Sequence, residues 1–389
     1  MKVIVRSLRT SLCILLAGSA AAALGQSRDA LDVQKARSKH VTSRAGKVYY
    51  TRQFDLSALP QYRPEAQASG TIRMWGSNYI ADSPLMQYWE EGFHKYHPDI
   101  QFDTANLKSS FLGSAGLYTG LADISAEGRA LNWFELMAYE RVMNRDPVDV
   151  AMATGSYDVT GWTFAFAIFV NKANPISRLT VKQLDGIFGA QRSGAWEKTT
   201  WHPELGRGAD QNIRTWGQLG LAGEWKDKPI HVYGYSPEYD MALGFSEMAM
   251  HGSDKWNEDL REYANFANPD GTIKVAAEEF MADLSKDPYG IAYTGINFRT
   301  QETKAIPIAS SEAGPFVELT IDNVQNRNYP LTREVYLYID RQPGKPVDPK
   351  VKEFLRYVLS REGQEAVMRD GKYLPMTKEM LDEQLRKIN

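Results

Sequence analysis

Segments typical of β-strands and of α-helices alternate along roughly 300 residues of this chain, and this alternation restricts its fold more than any other feature. Residues 164–170 are almost wholly apolar, as in a strand that is buried on both faces. Thr180 and Gln183 form the pattern of a helix capping box, and Gly189 is placed to end that helix. Such alternation indicates an α/β fold with helices covering the sheets, and a chain of 389 residues is long enough for two or three domains.

Several predicted helices begin directly after strands, with Ser, Gly or Asn at their first positions. Helix N-termini carry unpaired backbone N–H groups and the positive end of the helix dipole, so they favour anions. In open α/β sheets, ligands lie beyond the carboxyl ends of the strands. We therefore expect a ligand at the loops that follow the strands, which are residues 76–83, 109–111, 125–129 and 235–240.

The first 25 residues have the features of a secretory signal peptide. Basic residues Lys2, Arg6 and Arg9 precede an apolar run at 11–24, which is shorter than the ~20 residues of a bilayer span and ends in small residues. We predict cleavage near residue 25 and a periplasmic location; the alternative is a retained membrane anchor. The single cysteine, Cys13, lies in this run, so the mature chain would form no disulfide.

Residues 26–68 are polar and contain prolines, which predicts an N-terminal arm or linker. Within it, Phe54, Leu56 and Leu59 are candidates for docking onto the body. The full chain is 43% apolar with a net charge of -3, which favours a packed core and excludes a generally basic, nucleic-acid-coating surface.

Motifs of common enzymes are missing from the sequence. It contains no G-x-S-x-G elbow, no phosphate loop, no H-E-x-x-H and no dinucleotide fingerprint after a strand. His94 and His97 could ligate a metal from one helix, although two surface histidines are the simpler interpretation. We therefore predict no catalytic residues, no metal site and no cofactor.

Five segments, in order, resemble the periplasmic phosphate-binding proteins of high-affinity phosphate ABC transporters. They are TIRMWGS at 71–77 with WEEGFHKYHP at 89–98, VNKANP at 170–175 with LTVKQLDGIF at 179–188, YGIAY at 289–293, YPLTR at 329–333, and the tail at 354–366. The resemblance covers about residues 69–376. It implies a two-lobed, type II solute-binding fold with mixed sheets, helices on both faces of each sheet and a two-strand hinge.

The same resemblance implies lobes that are discontinuous in sequence. The first lobe would comprise residues 69–158 and 299–389, and the second residues 159–298. A small anion, with phosphate first, would bind between the lobes, and a membrane ABC permease would receive it. The family also implies a monomer that does not bind nucleic acid.

The family's binding residues match this sequence only in part. Ser77, Asn78 and Tyr79 correspond to the first phosphate loop, with Asn78 in place of the usual Thr; Ser110 corresponds to the serine at the second helix start, and Arg129 to the arginine after the Asp-Ile strand. In the fourth loop the family has an Arg followed by Ser-Gly-Thr. This chain has instead Tyr235, Ser236, Pro237, Glu238, Tyr239 and Asp240, of which we expect Tyr235, Ser236, Tyr239 and Asp240 to line the site.

The altered fourth loop bears on the identity of the ligand. Losing the arginine removes a charge-assisted fork, and Glu238 and Asp240 now stand near the helix start, where complementing the helix dipole is a simpler role for both. A carboxylate facing a bound dianion is tolerated when it accepts a proton from the ligand, which phosphate has near neutral pH and sulfate lacks. Two alternatives remain open: a binding protein for an organic phosphate or a zwitterion, and a secreted interaction or signalling module without a ligand.

Overall fold

A computed structural model describes residues 50–159, 163–268 and 273–389. The predicted signal peptide and residues 26–49 of the predicted arm lie outside the described residues. The strands are β1 (Gly70–Gly76), β2 (Ile100–Leu107), β3 (Ile124–Glu127), β4 (Val148–Thr154), β5 (Ala167–Asn171), β6 (Leu179–Thr180), β7 (Ala195–Glu197), β8 (Thr200–His202), β9 (His231–Tyr235), β10 (Arg261–Tyr263), β11 (Phe266–Ala267), β12 (Ile273–Lys274), β13 (Gly290–Thr294), β14 (Thr303–Ala305), β15 (Ile308–Ala309) and β16 (Glu334–Ile339). The helices are α1 (Leu85–Phe93), α2 (Ser110–Tyr118), α3 (Trp133–Met143), α4 (Val181–Phe188), α5 (Asp240–Ala249), α6 (Ala276–Leu284), α7 (Ile321–Gln325), α8 (Pro349–Val358), α9 (Arg361–Asp370) and α10 (Lys378–Ile388).

Two five-stranded sheets organise these elements into two lobes. The first sheet has the order β2-β1-β3-β16-β4, and the second has the order β10-β9-β13-β5-β14. In each sheet four strands run in one direction and one strand, β16 or β5, runs in the opposite direction, so both sheets are mixed. Each sheet has its own hydrophobic core, which confirms the predicted two-lobed α/β fold.

Local sequence signals account for several of the helix ends. At the start of α4, the Thr180 hydroxyl accepts a hydrogen bond from the Gln183 backbone N–H. At the start of α8, the Asp348 side chain accepts one from the Lys350 backbone N–H, and Pro349 is the first residue of the helix. Ser236 and Pro237 have the pattern of a capping residue followed by proline, which predicts a helix start at Ser236; this prediction is wrong. A turn in which the Tyr239 N–H donates to the Ser236 carbonyl oxygen at 3.0 Å comes first, and α5 begins at Asp240.

Two chain crossings form the hinge between the lobes. The Gly155 N–H donates to the Arg333 carbonyl oxygen at 2.9 Å, and the Phe166 N–H donates to the Leu331 carbonyl oxygen at 3.0 Å. A Cβ on Gly155 would lie 2.2 Å from the Thr163 carbonyl oxygen and 2.8 Å from that of Arg333, so only glycine fits this close crossing. The crossings correspond to the expected two-strand hinge.

The return to the first lobe comes later in the chain than the expected residue 299. Strand β14 pairs with β5, and β15 pairs with β6, while Ile306, Val324 and Leu331 are buried in the second core. The apolar residues at these positions thus extend the second lobe, and the chain crosses back just before β16.

Residues 50–62, which we call the strap, pack on the body. Leu56, Leu59 and Tyr62 are buried in the first core, whereas Tyr50 and Phe54 contact both cores. The docking expected for Phe54, Leu56 and Leu59 is therefore seen. Among the described residues, no helix is both long and apolar enough to cross a membrane.

Candidate anion-binding cleft

Arg129 lies between the lobes, two residues beyond the carboxyl end of β3, and is the centre of the charged groups in the cleft. Its guanidinium donates to both carboxylate oxygens of Glu135, at 2.7 and 3.1 Å, and lies 5.5 Å from the centre of the Phe111 ring. Glu135 occupies this place because it is the third residue of α3, where it also accepts from the Asn132 N–H at 2.8 Å. Burial lowers the pKa of Arg129, but the charge and hydrogen bonds of Glu135, together with the charges of Asp240 and Glu127, act in the opposite direction and the pKa is raised.

Glu127 is a second buried acid in the cleft. The Ser125 hydroxyl donates to its Oε1 at 2.6 Å, while Oε2 has no hydrogen-bonding partner within normal geometry among the described residues. Burial raises the pKa of Glu127 well above its usual range, although the charge of Arg129 and the nearby Ser110 hydroxyl act in the opposite direction. Ser110 is the buried first residue of α2, so a carboxyl group with a raised pKa lies beside a helix N-terminus.

Helix α5 of the second lobe contributes two further acids. Asp240, its first residue, lies with Oδ1 3.4 Å from Nε of Arg129, which makes an ion pair across the cleft. Glu247 lies two turns further along, and burial raises its pKa to about 7, with Arg129 lowering and Glu135 raising it to smaller extents. The cleft therefore holds more carboxyl groups than the sequence indicated.

Arg333 reaches the same region from the hinge. Its side chain is 5% exposed, its Nη2 donates to the Gly128 carbonyl oxygen at 3.3 Å, and its Nη1 contacts the Met241 sulfur at 3.4 Å. Burial lowers the pKa of Arg333, and the charges of Asp240 and Arg129 act on it with opposite signs. Arg129, Asp240 and Arg333 thus belong to one electrostatic cluster.

The first loop places only part of its predicted residues toward this cluster. Ser77 is buried and its N–H donates to the Ala126 carbonyl oxygen at 2.7 Å. The Tyr79 ring lies against Gly128, where an added Cβ would be 2.7 Å from it. The Asn78 amide instead donates to Asp82 on its own loop.

The aromatic residues expected from the fourth loop are largely engaged within the second lobe. The Tyr235 hydroxyl pairs with Thr294 Oγ1 at 2.6 Å, and the Tyr239 hydroxyl accepts from the Asn265 N–H at 2.8 Å. The Ser236 N–H donates to the Tyr263 carbonyl oxygen at 2.9 Å. The structure therefore brings together Ser110, Arg129 and Asp240, but it directs the hydroxyl groups of Tyr235 and Tyr239 to other partners.

The sequence interpretation missed four charged residues of the cleft: Glu127, Glu135, Glu247 and Arg333. Glu127 is the last residue of β3, two residues before Arg129, and Glu135 is three residues after Asn132, so both had a local signal. Glu247 is seven residues after Asp240, which is the spacing of one helix face. Arg333 lay in the YPLTR segment, but its position depends on the hinge crossing and has no local signal.

Two other features of the sequence have structural explanations. His97 is buried and its Nδ1 accepts from the Ala68 N–H at 3.2 Å, so the expectation of two surface histidines is wrong for His97. Among the described residues, no group of three His, Cys, Asp or Glu is placed to hold a metal ion. A surface cavity of about 690 Å³, lined by Lys172, Arg299 and Lys304, lies on the second lobe and is not lined by the predicted site residues.

The lobes are closed onto each other in this structure. Beside the Arg129–Asp240 pair, the rings of Trp133 and Trp196 stack across the cleft with centroids 5.6 Å apart. Two α/β bodies, a two-strand hinge and a buried charged cleft between them define the class of two-lobed solute-binding proteins.

Comparisons with known proteins agree with this class. The sequence profile of the PBP superfamily domain matches residues 63–362, and the chain belongs to that superfamily. It is 30% identical over 331 residues to the phosphate-binding protein PstS of Pseudomonas aeruginosa, covering 85% of this chain and 91% of that protein. It is also 24% identical over 218 residues to the protein SphX of Synechococcus elongatus, covering 54% of this chain and 53% of that protein. A crystal structure of PstS from Borrelia burgdorferi matches with a TM-score of 0.49 and 15% identity, covering 79% of this chain and all of that one.

Proposed function

We propose that this protein binds inorganic phosphate, or a related small oxyanion, between its lobes and delivers it to a membrane ABC permease. The observation that carries the proposal is the position of Arg129, whose buried guanidinium contacts a carboxylate of the opposite lobe at 3.4 Å in the closed cleft. The cleft therefore closes on a contact between a cation and an anionic oxygen, beside the N-terminus of α2. The similarity to PstS of Pseudomonas aeruginosa supports phosphate as the anion.

The acids of the cleft favour a ligand that carries a proton. Asp240 stays close to Arg129, and a fully charged oxyanion beside it would be repelled unless one of the two groups is protonated. Phosphate has a proton to donate near neutral pH, whereas sulfate does not. Discrimination against sulfate follows from this difference.

The test is calorimetric titration of phosphate into mature protein that has been unfolded, dialysed free of ligand and refolded. We expect saturable binding of one phosphate per chain, no heat from sulfate, and loss of saturable binding in Arg129→Ala and Ser110→Ala. A flat titration from protein with a native circular-dichroism spectrum would contradict the proposal, as would unchanged affinity in both variants.

A second candidate is a ligand that also has a positive group, such as a zwitterion. The observation that favours it is the excess of carboxyl groups in the cleft, where Glu127, Glu135, Asp240 and Glu247 outnumber Arg129 and Arg333. Mass spectrometry of small molecules released from freshly purified protein distinguishes the candidates. An organic cation or zwitterion in stoichiometric amount would replace phosphate as the ligand.

The export, assembly and chemistry of the protein are parts of the same proposal. We infer a periplasmic, monomeric carrier without catalytic activity, released from its signal peptide near residue 25. The intact mass of the protein from a periplasmic extract tests the cleavage, and light scattering tests the monomer. A mass that retains residues 1–25 would instead indicate a membrane anchor.

A further inference from the structure

Arg333 is a buried cation on which the charge of Asp240 acts, but no carboxylate of the described residues lies within ion-pair distance of it. It occupies the last position of the second hinge crossing, immediately before β16, with its guanidinium 5.1 Å from the centre of the Phe166 ring. A guanidinium has five N–H donors, and the contacts to the Gly128 carbonyl oxygen and the Met241 sulfur use only two of them. Among the described residues it forms no ion pair.

Other buried arginines in the chain are paired differently. Arg192 donates to both oxygens of Asp185 at 2.7 Å, and Arg129 donates to both oxygens of Glu135. A buried charge without a partner is costly, because the lost hydration is not replaced. An arrangement of this kind is explained when a ligand supplies the missing negative charge.

The surroundings of Arg333 place it in the proposed binding cleft. It contacts Met241 on the first turn of α5, and a Cβ on Gly244 would lie 3.3 to 3.5 Å from its guanidinium. Gly244 therefore leaves room for Arg333 beside the start of α5, which is the place where Tyr235 and Ser236 have replaced the family's fourth-loop arginine.

We propose that Arg333 is a ligand-binding cation that the hinge supplies to the oxyanion, in place of the arginine missing from the fourth loop. This inference rests on the proposed function and names the residue on which oxyanion affinity depends. Because Arg333 belongs to the hinge crossing itself, its contact with the ligand also connects binding directly to the segment on which the lobes move.

The experiment compares wild-type protein with Arg333→Met and with the control Arg327→Met. Arg327 lies six residues earlier and pairs with Glu334, so its loss removes an ion pair outside the proposed contacts to the ligand. Phosphate affinity is measured by calorimetry, and the melting temperature is measured without ligand. We expect Arg333→Met to weaken phosphate binding by about 10- to 100-fold without lowering the ligand-free melting temperature, since no ion pair is lost. Arg327→Met should lower the melting temperature and leave the affinity unchanged.

A second variant tests the same contact without removing the charge. Gly244→Ala should weaken phosphate binding modestly, because its Cβ would lie 3.3 Å from Nη2 and the guanidinium would have to shift slightly, while the helix remains folded. Unchanged affinity in both Arg333→Met and Gly244→Ala would overturn the role of Arg333 and leave the proposed function intact. A wild-type protein that does not bind phosphate would overturn the proposed function, and the inference with it.

Discussion

Glu247 is a residue of the cleft that gains or loses its proton near physiological pH. Its folded-state pKa of about 7 is above the ordinary 4.5, so the folded protein holds this proton more tightly than the unfolded chain does. Its contribution to stability is therefore lost as pH rises from about 4.5 to 7, by up to about 3 kcal/mol. Glu247→Gln should remove this loss and make the variant more stable than wild type at pH 8. Urea unfolding at pH 5 and pH 8 measures the free energy of unfolding of wild type and of Glu247→Gln. An equal pH dependence in the two proteins would refute the prediction.

Tyr62 illustrates a buried polar residue that holds the strap to the first lobe. Because the Ala68 N–H donates to Nδ1 of His97, Nε2 carries the ring proton and donates to the Tyr62 hydroxyl at 2.6 Å. That hydroxyl in turn donates to Oε2 of Glu353 at 2.6 Å. Tyr62→Phe leaves both partners buried without it and should lower the free energy of unfolding by about 2 kcal/mol. Chemical denaturation checks this value, with Tyr96→Phe in the same aromatic group as a control that should change it far less.

The strap is an element that precedes the matched PBP domain and contacts the hinge. The Tyr50 hydroxyl accepts from the N–H groups of Tyr157 and Asp158 at 2.6 and 3.3 Å, and Phe54 packs on both lobes. Removing both side chains in Tyr50→Ala/Phe54→Ala should accelerate amide exchange in residues 154–159 by about tenfold, as local opening becomes easier. Hydrogen-exchange mass spectrometry measures the exchange rate in this segment. The control Arg52→Ala removes an exposed ion pair with Asp322 and a guanidinium contact with the Phe54 ring but leaves both aromatic side chains in place, and it should have little effect; equal protection in both variants would show that the strap does not restrain the hinge.

The elements that could be predicted from sequence are those with local causes. Strand β16 alternates aliphatic and aromatic residues, which is a pattern typical of a strand, and the capping box at Thr180 is formed as expected. The start of α5 was missed because a turn precedes it, and the late return from the second lobe was missed because it depends on pairing between distant strands. Arg129 was predicted from the family resemblance, by its place after the Asp-Ile strand, whereas the position of Arg333 depends on the hinge crossing.

At the scale of the whole molecule, affinity depends on the free energy of lobe closure as well as on contacts with the ligand. If only the closed form makes all the contacts with the ligand, the apparent affinity is proportional to the fraction of protein that is closed before binding. Contacts that join the described parts of the two lobes across the cleft include the Arg129–Asp240 pair, the stacked rings of Trp133 and Trp196, and an exposed Lys198–Asp146 pair at 3.5 Å. The exposed pair contributes little, so among these three the aromatic contact should contribute most to closure without involving the ligand site.

The Trp133–Trp196 contact offers a way to change closure while leaving the charged cleft intact. An aromatic pair contributes about 0.5 to 1.5 kcal/mol beyond its buried area, so Trp196→Ala should weaken phosphate binding by about 2- to 10-fold. Because the two rings act as one contact, Trp133→Ala should have a similar effect, and the double variant should be no weaker than either single variant. Calorimetric affinities of wild type, the two single variants and the double variant form a double-mutant cycle. Additive losses would show that the rings act independently, and full affinity in Trp196→Ala would show that closure does not depend on this contact.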